Sequence, residues 1–184
     1  MANEKYEFVP GDEKVIAPGR TVKRIRALVA ISYFVAAGDI GGYIESEASL
    51  PVYGDAWVSG NAQVYGDARV YGDAQVYGDA WVSGNARVYG DAQVYGDAWV
   101  YGDAWVYGRG LIVWFTGVGT GYGTLTVYNT KDNSIEVTRG CFRGSIDEFL
   151  AASESKHDET TQLEYRMLIE VAYSRITRAQ TTKE

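Results

Sequence analysis

Arginine and tyrosine residues recur at a fixed spacing in the middle of the chain, and together they could bind a phosphate-bearing ligand. Arg69 and Arg87 are eighteen residues apart, and each is followed two positions later by a tyrosine. A guanidinium group binds phosphate oxygens through paired N–H donors, and an aromatic ring stacked on a nucleobase contributes about 1–3 kcal/mol. These residue types at this spacing predict a site for a small nucleotide-like anion. The alternative is a solvated strand surface without a ligand. The candidate residues are Arg69, Arg87, Arg109, Tyr71, Tyr89, Tyr107 and Trp105.

Residues that would support catalysis are sparse. The single histidine, His157, lies outside the repeats and is predicted to be an exposed linker residue, so the repeated surface has no obvious general base. The glycine-rich stretch Gly117–Gly123 lacks the Lys-Ser/Thr ending of a phosphate-binding P-loop and favours a hairpin loop. The single cysteine, Cys141, excludes an internal disulfide and is predicted to be a small buried residue. We expect no enzymatic activity, no cofactor and no metal.

The residues that must position this site belong to a six-residue unit that repeats from Val52 to Gly108. Valine recurs every six residues, and alanine stands two positions before each valine. Positions two apart in a strand share a face, so valine and alanine point to one side and the residues between them to the other. The intervening Gly-Asp or Gly-Asn pairs favour tight corners. The pattern predicts a solenoid rather than a helix.

These repeats resemble the hexapeptide-repeat proteins of the left-handed parallel β-helix type. The resemblance rests on an aliphatic residue followed four positions later by a small one, as in Val58/Ala62 and Val64/Ala68, a series that begins at Val52. It implies a left-handed, triangular β-helix with three hexapeptides in each coil. The Tyr or Ser after each valine differs from the small or acidic residue of the family's acyltransferases, so the resemblance implies the fold without that activity.

A second resemblance, to a group of phage and prophage proteins, covers most of the chain. It rests on Arg24–Leu28, Gly38–Glu45 and the repeats, and continues through Thr124–Tyr128 and Thr138–Phe142. It identifies a lineage and implies no particular reaction.

Eighteen residues per coil would sort the outward residues onto three faces. The first carries Trp57, Gln75 and Gln93; the second carries Gln63, Trp81 and Trp99; the third carries Arg69, Arg87 and Trp105. Large contiguous apolar patches are seldom left exposed on soluble monomers. We therefore predict a homo-oligomer, with a trimer favoured. Its interface residues are predicted to be Trp81, Trp99 and Tyr101. The stacked corner acids could bind calcium. We favour the alternative, in which the Gly-Asp and Gly-Asn pairs only form the corners.

The remaining segments are predicted to close the two ends of the solenoid. Residues 1–50 form a β segment, with turns at Gly11-Asp12 and Pro18-Gly19, and a degenerate first coil; residues 51–110 form the β-helix after a register break at Pro51. Residues 111–184 form a cap with a β run at Leu111–Phe115, a β-hairpin of strands at about residues 124–128 and 135–138, and two helices. The first helix opens with a capping box at Ser145. The second spans about residues 160–176, with an apolar stripe at Leu163, Met167, Leu168, Val171 and Ile176. The fold class is therefore mainly β.

The net charge of −7 and the pI near 4.8 argue against a general nucleic-acid binder. The polar start of the chain lacks a signal pattern, and no apolar run approaches membrane-spanning length, so we expect a cytoplasmic protein.

Two functions remain open. The first is an oligomeric phage protein that sequesters a small nucleotide-derived anion, such as a host defence signal. The second is a structural or protein-interaction module, for instance a phage assembly accessory or an acidic mimic of nucleic acid.

Overall fold

The computed structural model describes residues 3–182 and is mainly β. A β-hairpin leads into a β-solenoid of about four levels, which is followed by a four-stranded antiparallel sheet and two helices.

The N-terminal hairpin consists of β1 (Tyr6–Ala17) and β2 (Arg20–Ala27), joined by the predicted turn at Pro18-Gly19. The second predicted turn, at Gly11-Asp12, is instead a bulge within β1, where the register with β2 shifts between Phe8 and Glu13. β3 (Ile40–Ile44) pairs with β2 on one side and with the solenoid strand Gln63–Val64 on the other. The hairpin thus extends one of the solenoid's sheets.

Nine two-residue strands build the solenoid. They are β4 (Trp57–Val58), β5 (Gln63–Val64), β6 (Arg69–Val70), β7 (Gln75–Val76), β8 (Trp81–Val82), β9 (Arg87–Val88), β10 (Gln93–Val94), β11 (Trp99–Val100) and β12 (Trp105–Val106). They form three parallel stacks, β4-β7-β10, β5-β8-β11 and β6-β9-β12. Each strand from β4 to β9 pairs in register with the strand eighteen residues later. This confirms the predicted assignment of outward residues to three faces.

The interior is built from the predicted valines and alanines. Every valine from Val58 to Val106 and every alanine from Ala56 to Ala104 is at most 1% exposed. The corner glycines from Gly54 to Gly102 have φ between 63° and 77°, which a glycine adopts without the steric cost that a Cβ brings. The short strands and the sharp corners therefore follow directly from the repeat.

The predicted start of the array at Val52 is wrong. Val52 is 38% exposed, whereas Leu50 is fully buried and fills the inward position. Leu50 is six residues after Ile44, the regular spacing, but six rather than four residues before Ala56, so the two extra residues lie in the bends at residues 52–55. A break near Pro51 is present, but it displaces the first valine of the repeat outward.

The C-terminal sheet has four strands, one more than the predicted β run and hairpin, and the additional strand is the last. They are β13 (Ile112–Val118), β14 (Gly123–Asn129), β15 (Ile135–Arg139) and β16 (Phe142–Ser145), in sequential antiparallel order. The sheet adds no parallel rung to the solenoid and contacts it through side chains and a backbone bond, in which the Lys131 N–H donates to the Asp103 carbonyl at 3.0 Å. The Thr126 hydroxyl accepts from the Trp99 N–H at 3.1 Å, and the Thr138 hydroxyl donates to the Trp99 carbonyl at 2.8 Å.

Two helices complete the cap. α1 (Ile146–Lys156) begins with the predicted capping box at Ser145 and Glu148, and α2 (Glu159–Thr181) follows. The apolar stripe predicted for the second helix is largely wrong. The buried side chains are Thr161, Tyr165, Ile169, Ala172 and Ile176, whereas Leu163, Met167 and Val171 are about half exposed.

Both sets of positions follow helical spacing, so the sequence pattern alone could not choose between them. The structure selects the set that contains Tyr165, because its ring packs edge-on against Phe149 of α1 at 5.1 Å. His157 caps the end of α1 and is half-buried beside Tyr165 rather than exposed. Cys141 was predicted to be buried but is exposed, because it lies in the tight turn between β15 and β16.

Candidate functional site

The third face of the solenoid brings the two predicted arginines together. Arg69 lies directly opposite Arg87, and Arg87 lies opposite Trp105, on the parallel strands β6, β9 and β12. Neighbouring parallel strands are about 4.8 Å apart, so one anion could be reached from both guanidinium groups.

Tyrosines form a ladder beside the arginines. The Tyr71 and Tyr89 rings stack with centroids 4.8 Å apart and planes within 4° of parallel. Tyr107 continues the ladder in a tilted arrangement, and Trp105 meets Tyr89 edge-on. Among residues 3–182, Tyr71 has a stacked ring on one side only, whereas Tyr89 contacts rings on both sides. Tyr71 is therefore the ladder member whose ring face is best placed for a ligand. Burial raises the pKa of the Tyr71 phenol, while the charges of Arg87 and Arg69 oppose this.

The two arginines differ in how they are held. Arg87 Nη1 donates to the carbonyl oxygens of Asp67 at 2.6 Å and Asn85 at 2.9 Å, which fixes the guanidinium along the corner. The Arg69 side chain is exposed and has no hydrogen bond or ion pair with any residue between 3 and 182. One guanidinium is therefore preorganised and the other is available.

Carboxylates moderate this positive charge. Asp67 and Asp73 occupy the corners that precede and follow the Arg69 strand, and both are exposed. Within one corner column, Asn85 Nδ2 donates to Asp103 Oδ1 at 3.0 Å, so an amide separates two acids that would otherwise be adjacent. A ligand on this face needs more than charge to be held.

Arg109 was predicted to be a ligand-binding residue at the corner nearest the third face, and it contacts the corner residue Asp91. The chain leaves the array at Gly108 and makes a 3-10 turn, which begins with Arg109. The Arg109 Nε lies 3.8 Å from Asp91 Oδ2, and the side chain lines a cavity of about 310 Å³ with Tyr95, Trp114 and Arg175. This cavity is on the first-face side of the corner.

The second face presents the predicted interface residues around a groove. The Trp81 and Trp99 indoles stack with centroids 4.9 Å apart and planes within 3°. Tyr101 is 45% exposed, and the Arg143 guanidinium lies 4.9 Å above its ring. The β15–β16 turn borders this groove of about 250 Å³, so the face is partly covered by the chain's own cap.

Sequence reasoning missed the polar residues that the cap brings to the solenoid, above all Arg139. Arg139, Tyr122 and the glycine-rich loop line a cavity of about 370 Å³ together with Trp99 and Asp97. No periodic signal marks these residues, because the docking of the cap is a tertiary contact. The position of Arg139 at the end of a predicted strand, beside the glycine-rich loop, was the only available signal.

Residues 62–78 and 92–108 match the family model described as the YdcK beta solenoid repeat. Both segments lie within the array whose pairing was described above, and the chain is thus a β-solenoid repeat protein. A search of curated proteins found no match to the chain. Neither helix of residues 3–182 combines the length and the apolar character needed to cross a membrane.

Proposed function

We propose that the protein is a non-enzymatic binding protein whose third face holds a small anionic, nucleotide-derived ligand. The observation that supports this is the in-register pair Arg69 and Arg87 beside the Tyr71–Tyr89 stack. The phosphate would lie across the two guanidinium groups, and the base would stack on the side of Tyr71 that carries no stacked ring.

The corner acids would favour a nucleotide over free phosphate as the ligand. Asp67 and Asp73 flank Arg69 in the chain and weaken the attraction for any anion. Stacking on an aromatic ring adds about 1–3 kcal/mol that inorganic phosphate lacks. Selectivity for base-bearing anions follows from this arrangement.

The finer architecture belongs to the same proposal. The solenoid would be a left-handed, triangular β-helix of the hexapeptide-repeat type, from a phage or prophage. It would act in the host cytoplasm by sequestering a nucleotide signal. A trimer assembled along the second face would leave the third face of each protomer open to the ligand.

Calorimetric titration with AMP, ATP, cyclic mononucleotides, cyclic dinucleotides and inorganic phosphate tests the binding. At least one nucleotide should bind, and phosphate should bind more weakly. The double substitution Arg69→Gln with Arg87→Gln should weaken the binding by at least about tenfold, since a hydrogen bond to a charged group contributes about 1.5–3 kcal/mol. Glutamine is native to this outward position at Gln63, Gln75 and Gln93, so the array should tolerate the change.

The control is Arg166→Gln with Arg178→Gln, which removes the same charge from the exposed surface of α2. It should leave nucleotide affinity unchanged. A panel without binding, or equal losses in both double variants, would contradict a specific site on the third face.

A protein-interaction module is the second candidate, and the exposed aromatic residues favour it. Trp99 is 39% and Tyr101 is 45% exposed, while Phe34, in the loop before β3, is 85% exposed. Tyr101→Ser tests the seam, because serine occupies the equivalent position after Val58 and Val82. Sedimentation should show an oligomer for the native chain and a smaller species for this variant; a native monomer would reject the seam.

A further inference from the structure

A cavity lies between the last rung of the second face and the C-terminal sheet, and none of the third-face residues lines it. β11 is the last strand of its sheet, so Trp81 stacks on one side of the Trp99 indole and no further rung covers the other. The threonine hydroxyls of Thr126 and Thr138 replace that rung. The cavity of about 370 Å³ adjoins the indole, which is 39% exposed.

Arg139 is fixed at the opposite side of this cavity. Its Nη2 donates to the Val118 carbonyl at 2.9 Å, while its Nε is buried and has no hydrogen-bond partner. A side chain at Gly123 would collide with the guanidinium, so the glycine lets Arg139 lie flat against the loop. Because the Nε is buried, a ligand could contact this side chain only through its Nη1 and Nη2 groups.

The charges in this cavity balance. Arg139 contributes one positive charge and Asp97, at the corner before β11, contributes one negative charge. The hydroxyls of Thr116 and Thr124 line the same space. A phosphate would gain from Arg139 and lose beside Asp97, whereas a hydroxyl group can accept from the first and donate to the second.

We propose that this cavity binds one pyranose ring of a neutral saccharide. The polarised C–H groups of the sugar would lie on the electron-rich face of the Trp99 indole. One sugar oxygen would accept from an Nη N–H of the Arg139 guanidinium, and another hydroxyl would donate to the Asp97 carboxylate. The cavity volume lies within the range of sites that hold small ligands.

The test is NMR titration of the tryptophan Nε1–H signals of the full chain with glucose, galactose, rhamnose, N-acetylglucosamine, cellobiose and maltose, with AMP as the charged comparison. The Trp99 signal should shift with at least one saccharide. Trp99→Gln should weaken that binding by at least about tenfold, because it removes an aromatic platform that would contact the ligand directly. Glutamine is native to this position of the array, and a retained circular dichroism melt shows that the variant folds.

Asp97→Asn has a matched control in Asp79→Asn, one coil earlier in the same corner column and outside the cavity. Asparagine is native to such corners at Asn61 and Asn85. The first variant should weaken saccharide binding about threefold or more through loss of a charge-assisted hydrogen bond, and the second should not change it. Absence of binding across the saccharides, binding of AMP alone, or equal effects of the two variants would overturn the proposal. Because Arg69→Gln with Arg87→Gln leaves this cavity intact, failure at one site is separable from failure at the other.

Discussion

Ile44 lies directly opposite Val64, which is twenty residues further along the chain. Every later rung pairs with a residue eighteen positions on, as Val64 does with Val82. The first level therefore contains two extra residues, and these shift the inward position from Val52 to Leu50. The N-terminal hairpin secures this junction, because the Tyr6 hydroxyl donates to the Leu50 carbonyl at 2.8 Å.

The junction predicts unequal costs for truncating two neighbouring aliphatic residues. Leu50→Ala should lower the free energy of unfolding by about 2–5 kcal/mol, because it leaves a cavity in a fully buried position. Val52→Ala should change it by less than about 0.5 kcal/mol, since that side chain is partly in solvent. Urea unfolding followed by circular dichroism measures both. Equal losses would show that both side chains pack in the interior.

A corner glycine should be far less replaceable than the glycine that ends the array. Gly78 has φ of +74°, and a Cβ there would lie 2.9 Å from the Gly96 nitrogen in the next coil. Gly78→Ala should cost roughly 2 kcal/mol or more, from the left-handed backbone and the close rung. Gly108 has an extended backbone, and its Cβ would meet only Asp91 Oδ1 at 3.4 Å. Gly108→Ala should therefore change the free energy of unfolding by less than about 0.5 kcal/mol. Thermal melts of the two variants measure both changes, and equal losses would contradict the stacked register.

The regular part of the fold could be predicted from the sequence because its contacts repeat with the sequence. The pairing of Arg69 with Arg87 and of Trp81 with Trp99 follows once the period is known. The ends could not be predicted in this way. The inward position of Leu50 depends on a local insertion whose length the pattern does not show.

The same distinction applies to the candidate site residues: those within the repeats follow the period, and those in the cap do not. Tyr71 and Tyr89 stack as the period requires, and Arg109 contacts Asp91, eighteen residues earlier, although it also lines a cavity with first-face residues. Arg139 and Trp99 line one cavity only because the C-terminal sheet docks on the last rung. The exposure of Cys141 likewise depends on a turn between two strands, of which the second was not predicted.

Two threonine hydroxyls hold the last rung, and removing them should loosen the end of the solenoid. Thr126→Val and Thr138→Val keep the side-chain shape but leave the Trp99 N–H or carbonyl without its partner. Each should cost about 1–3 kcal/mol, the penalty for a buried unsatisfied group. Hydrogen exchange at the Trp99 amide should accelerate in Thr126→Val. Thr124→Val is the control. Thr124 lies in β14 together with Thr126, and its hydroxyl forms no hydrogen bond with any residue between 3 and 182. Equal effects at all three positions would contradict this role.

The buried ammonium group of Lys5 predicts a rise in stability with pH. Lys5 is 5% exposed and donates to the Gly54 carbonyl at 2.9 Å. Burial lowers the pKa of Lys5 to about 8, against a partial opposing effect of the Asp55 charge. Above that pH the folded chain has released the proton, whereas the unfolded chain keeps it until about pH 10.4. The unfolded state thus binds more protons, and the free energy of unfolding should rise with pH by up to about 1.4 kcal/mol per unit.

The measurable quantity is the difference in unfolding free energy between the native chain and Lys5→Met, from urea titrations between about pH 7 and pH 9.5. Methionine leaves the Gly54 carbonyl unpaired at every pH, which adds a constant offset, so only the slope carries information. The difference should be flat below about pH 7.5 and should then rise. The upper limit avoids a separate effect, because burial raises the pKa of Tyr6 and Tyr128 and their contribution falls only once the unfolded phenols ionise near pH 10. Lys156→Met, which removes an exposed cation from α1, should show no such rise relative to the native chain. A flat or falling difference for Lys5→Met would mean that the ammonium group is solvated in the folded state.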